Sequence, residues 1–99
     1  MKRPEIKNLF RKAIKEWGLS LQLGMLMEEC AELIQATHKV VRNMDKQTSV
    51  WRGMIEEIAD VEIMIDQIKT TVTWENIGPR VETAKHDKLR RLKKMLEEE

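Results

Sequence analysis

The chain has 99 residues, with 18 Lys and Arg against 17 Asp and Glu for a net charge of +1; it is 41% hydrophobic, 35% charged and 4% aromatic. That length bounds one small domain over residues 1–99, and the balanced charge gives no electrostatic case for a nucleic-acid polymer or a membrane surface. No apolar run is long enough to span a bilayer, the N-terminus lacks a signal-peptide core, and Cys30 is the sole cysteine, so a cytoplasmic, reducing setting is the expectation.

The first helix is expected over about Pro4–Trp17. Proline suits an opening helical position, and Ile6, Phe10, Ala13, Ile14 and Trp17 recur on one face. Gly18 stops it, and Ser20 suits the cap of a second helix that runs to about Val41. Leu19, Leu23, Leu26, Cys30, Leu33, Ile34 and Val40 form that helix's apolar stripe, with Met25, Glu29, Glu32 and Ala36 in a line beside it. The polar stretch Arg42–Thr48 reads as the turn of an antiparallel hairpin. A third helix follows from near Thr48 or Ser49 to about Thr70. Its Ile55, Ile58, Val61, Ile65 and Ile68 form one line, while Ala59, Ile63 and Met64 are apolar on other faces. A helix apolar on several sides is buried on several sides. Two hairpins from two chains are therefore expected to share a four-helix-bundle core, giving a homodimer or homotetramer. Val72–Pro79 reads as a break, because Gly78-Pro79 is hard to keep inside a helix. A fourth helix is expected from near Pro79, with Val81, Ala84, Leu89, Leu92 and Leu96 turned inward. The fold class is all-α: a helical hairpin with flanking helices.

Two acidic stretches organise this pattern. In each, carboxylates stand three residues apart inside an apolar context: Glu29 with Glu32, and Glu57 with Asp60. On a helix that spacing places both on one face, one turn apart. Both pairs lie at similar distances from the expected turn near Met44–Asp45, so the hairpin brings them level to within roughly one turn. Four repelling carboxylates at one height call for a cation, and an all-oxygen set suits Mg²⁺ or Mn²⁺ better than zinc. A di-iron carboxylate bundle would need Glu-x-x-His motifs; neither His38 nor His86 follows a Glu at that spacing. Lys85, Lys88 and Arg91 share one side of the fourth helix. That is by default a solvated face, yet a phosphate-rich ligand near such a metal site would want cations of this kind. Trp17, Trp51 and Trp74 are core residues by default, but they are the aromatic platforms available to a nucleotide base.

Trp17-Gly18, Glu28-Glu29-x-x-Glu32-Leu33, Glu56-Glu57-x-x-Asp60 and a basic helix with Lys88 and Arg91 together resemble the MazG-like all-α nucleoside triphosphate pyrophosphohydrolases, over about residues 6–95. The resemblance implies an enzyme that cleaves a nucleoside triphosphate, in the first place a deoxynucleotide, to monophosphate and pyrophosphate with Mg²⁺. It further implies Glu29, Glu32, Glu57 and Asp60 as metal ligands. Glu28 would be an additional acidic residue acting with Glu29 in catalysis, and Lys88 and Arg91 would contact the phosphates, with Lys85 added as a phosphate-binding candidate by its place on the same side of the helix. One departure is that Lys85, His86 and Asp87 stand where the family often carries an Asn. Two other readings are a same-superfamily enzyme acting on phosphoribosyl-ATP, and a non-catalytic helical dimer that binds nucleotide or protein.

Overall fold

A computed structural model of the chain describes residues 1–43 and 48–98. Four helices account for it, with no strand among the described residues: α1 (Arg3–Trp17), α2 (Leu19–Arg42), α3 (Thr48–Ile68) and α4 (Val72–Glu97). The all-α class and the order of elements agree with the sequence pattern. The expected turn centre at Met44–Asp45 lies outside the described residues. No helix among the described residues is long and apolar enough to cross a membrane.

Local chemistry sets most of the boundaries. Pro4 sits in the first turn of α1, where a missing N–H costs nothing. Gly18 then turns the chain at φ 84°, a left-handed value that favours glycine, and its N–H closes on the Ile14 carbonyl at 2.8 Å. A single residue thus separates α1 from α2. Ser20, expected as a cap, is instead the second residue of α2, which starts from Gly18 without a side-chain cap.

The start of α4 departs from the expectation. The helix begins at Val72, and Pro79 lies inside it. Thr71 makes this possible: its hydroxyl accepts from the Trp74 N–H at 3.3 Å while donating to the Ile68 carbonyl at 2.6 Å. This joins the end of α3 to a capped start. Gly78 is buried under the Trp74 indole, and an added Cβ there would fall 2.7 Å from Trp74 Nε1. The Gly-Pro pair therefore marks a close ring-to-backbone approach and not a helix end. Pro79 supplies no N–H to the Glu75 carbonyl, and Thr83 Oγ1 donates to the Pro79 carbonyl at 3.1 Å.

The principal packing is α2 against α3, with α1 laid across α3 and, to a lesser extent, α2. Register along the hairpin is regular. Gln22 pairs with Gln67, Glu29 faces Asp60, and Glu32 faces Glu57. Each step forward on α2 matches an equal step back on α3, as an antiparallel pair requires. Val40, Met64 and Ile68 are the buried hydrophobic residues among those described, and Gln22 and Gln67 are buried with them. Gln22 Nε2 donates to Gln67 Oε1 at 2.6 Å, which satisfies two amides that would otherwise be costly to bury.

Much of the apolar surface meant for a core remains outside in one chain. Leu23, Ile34, Ile55, Ile58 and Ile65 are exposed, as are Val81, Leu89, Leu92 and Leu96 of α4, where the sequence pattern expected an inward face. The accessible surface is 8388 Å², against roughly 5900 Å² for a folded monomer of this mass. The radius of gyration is 16.9 Å, against about 13 Å for a compact chain of this length. The reason is α4, which makes no packing with the hairpin comparable to that of α1.

Candidate metal centre

Three carboxylates converge at mid-hairpin. Glu29 of α2 and Glu57 and Asp60 of α3 each offer an oxygen within 4.8 Å of the others. Glu29 and Glu57 are half-buried and Asp60 is exposed. Glu32, one turn on from Glu29, is exposed and stands outside this group of three, but its charge reaches both Glu29 and Glu57. The two acidic pairs therefore meet at one level. The closest set holds three of the four expected residues, with Glu32 at its edge.

The electrostatics are those of a site short of positive charge. Burial, followed by the charges of Glu32, Asp60 and Glu57, pushes the Glu29 carboxyl up to about 6. Burial and the charges of Glu32 and Asp60 raise Glu57 as well. Glu29 Oε2 and Glu57 Oε2 are both buried without a hydrogen-bond partner. A buried carboxylate oxygen with no donor is unfavourable unless a proton or a cation meets it. The oxygen-only donor set and these two orphaned atoms fit a hard divalent cation of the Mg²⁺ or Mn²⁺ type.

A cleft of about 470 Å³ opens beside the carboxylates, lined by Glu32, Gln35, Lys39, Ser49, Gly53 and Glu57 among others. Among the described residues, Lys39 is the cation in its wall. Its signal in the sequence is its spacing: Lys39 lies two turns beyond Glu32 on the same face of α2. Gly53, one turn before Glu57, leaves that side of the cleft open; a Cβ there would meet nothing within 4 Å. On the other side, one turn beyond Asp60, Ile63 enters the wall of a larger apolar pocket of about 980 Å³. Phe10, Trp17 and Gln67 also line it, so Trp17 borders a space of ligand size.

The remaining candidates lie elsewhere. Glu28 is exposed on the neighbouring flank of α2. Trp51 is exposed, and Trp74 packs on Gly78 with Lys69 Nζ 5.8 Å from its ring centre. Lys85, Lys88 and Arg91 are exposed on α4, away from the helices that carry the carboxylates. Lys85 meets Glu82 at 3.6 Å across a solvated surface, which contributes little. No family model, no curated protein and no solved structure matches the chain, so the MazG-like resemblance rests on the motifs quoted above.

Proposed function

We propose that this chain is a Mg²⁺-dependent nucleoside triphosphate pyrophosphohydrolase of the MazG-like kind, acting in the cytoplasm to give nucleoside monophosphate and pyrophosphate. The observation that carries the reading is the pair of buried, donorless oxygens of Glu29 and Glu57 in a cluster that also includes Asp60. Glu29, Glu57 and Asp60 would hold the ion, with Glu32 completing the set from the edge. Mg²⁺ there would supply charge neutralisation and polarisation of phosphoryl oxygens.

The chain's own residues divide the rest of the work. Hydrolysis adds water across the bridge between the α- and β-phosphates, and the water must lose a proton as it attacks phosphorus. Glu29, half-buried beside Glu57 and Asp60, is the carboxylate placed to take that proton. Glu28, exposed beside Glu29 on α2, would act as the additional acidic residue. Lys39 stands in the wall of the cleft, where it can offset phosphate charge. The apolar pocket bordered by Phe10 and Trp17 offers the base an aromatic wall, one to two turns along α3 from Asp60.

A panel of deoxy- and ribonucleoside triphosphates, with phosphoribosyl-ATP included, tests this by pyrophosphate release under Mg²⁺. Turnover that disappears in Glu57→Gln is the expected result. Nucleotide binding without turnover would replace the enzyme by a binding module.

A further inference from the structure

We propose that α4 of a second copy docks antiparallel along the outer face of α3, reciprocally in a two-fold dimer, with Lys88 of one chain against Glu62 of the other. The starting point is that α4 has an apolar stripe that no described helix of its own chain packs against to any extent. Residues 79–98 are exposed throughout. Val81, Lys85, Lys88, Leu92 and Met95 recur at alternating spacings of four and three, which places them on one helix face. Leu92 is 50% and Met95 65% exposed. Two lysines therefore sit within the apolar stripe, and whatever covers it must be apolar and acidic together.

The outer face of α3 has that composition. Trp51, Ile55, Ile58, Glu62 and Ile65 follow the same four-three rhythm, on the side turned away from the half-buried Glu57. Ile55 is 62% and Ile58 37% exposed. In an antiparallel pairing one register satisfies both stripes. Lys88 falls opposite Glu62, Leu92 opposite Ile58 and Met95 opposite Ile55. Lys85 falls opposite Ile65, where its stem covers the isoleucine and its ammonium reaches back toward Glu62. A charged pair within an otherwise apolar seam fixes register and orientation.

The same chain cannot make this pairing. Its register would place Val81 beside Lys69, which needs a flexible return between them, but Val72–Glu97 is one continuous helix leading away after Thr71. The occupant is thus a second copy, and a two-fold axis makes each contact twice. The surface excess of roughly 2500 Å² over a compact monomer is of the size that a dimer leaves open on one protomer. This assigns Lys85 and Lys88 to an interface and leaves the phosphates to Lys39.

A charge swap tests the register. In sedimentation at micromolar concentration the wild type should be a dimer or larger. Lys88→Glu sets carboxylates against Glu62 at both symmetry-related contacts and should weaken assembly about a hundredfold. Lys88→Glu combined with Glu62→Lys should restore it. Leu92→Glu, at a position exposed in the single chain, should dissociate the assembly while circular dichroism stays helical. A monomeric wild type overturns the proposal. So does assembly that survives Lys88→Glu or Leu92→Glu, which would mean that hairpins meet face to face instead. Failure of the double swap to restore what the single change broke would also overturn it.

Discussion

Glu29→Gln tests the charge balance of the site without any substrate. The glutamine keeps the shape of the side chain and removes its titration. In the folded, metal-free protein the Glu29 carboxyl is raised from 4.5 to about 6 by burial and by Glu32, Asp60 and Glu57. A raised acid means that the folded state holds the proton more tightly than the unfolded state. The stability tied to this group is therefore fully present below about 4.5 and is lost as pH rises through about 6. The full shift corresponds to at most about 2 kcal/mol, and solvent screening at a half-open site reduces this to about 1 kcal/mol. Urea unfolding in chelator, at fixed protein concentration, should show the wild type losing about that much between pH 4.5 and 7.5 relative to Glu29→Gln. At pH 7.5 the variant should be the more stable of the two. A variant less stable than wild type at pH 7.5, or with the same pH slope, would mean that the Glu29 carboxylate is paired and not crowded.

Adding Mn²⁺ should raise the melting temperature of the wild type, and Glu57→Gln or Asp60→Asn should remove that rise together with pyrophosphate release; a retained rise would place the ion elsewhere. In calorimetry, Lys39→Ala should leave Mn²⁺ affinity unchanged or slightly higher. The same change should lower kcat/KM roughly tenfold or more, the effect of losing a charge-assisted phosphate contact; unchanged turnover would remove Lys39 from the site. Gln22→Leu should destabilise the chain by about 1–3 kcal/mol by leaving the Gln67 amide without its partner, and unfolding at one pH and concentration checks it. A change under about half a kcal/mol would mean that water replaces the lost bond.

Local order was legible in the sequence because it depends on near neighbours. Helical periodicity, Pro4 and Gly18 are enough to place α1 and its end. The three-residue spacing within each acidic pair, with the two pairs balanced about one turn, is enough to bring Glu29 level with Glu57 and Asp60 in a hairpin. At the α3–α4 junction the expectation failed through two contacts. The Trp74 ring lies on Gly78 and the Thr71 cap sets the helix start, so a Gly-Pro pair that reads as a break stays inside α4.

Tertiary structure alone decided which polar groups lose water. Composition cannot say that Gln22 and Gln67, ordinary surface residues by type, close on each other in the core, because that depends on the α2–α3 register. The same register leaves Glu29 and Glu57 half-buried while Glu32 and Asp60 face solvent, although all four look alike in sequence. It also brings Lys39 into the cleft wall. Lys88 stands on α4, which packs little against the hairpin and does not line that cleft. Periodicity fixes which residues share a helix face; packing between helices decides what that face meets.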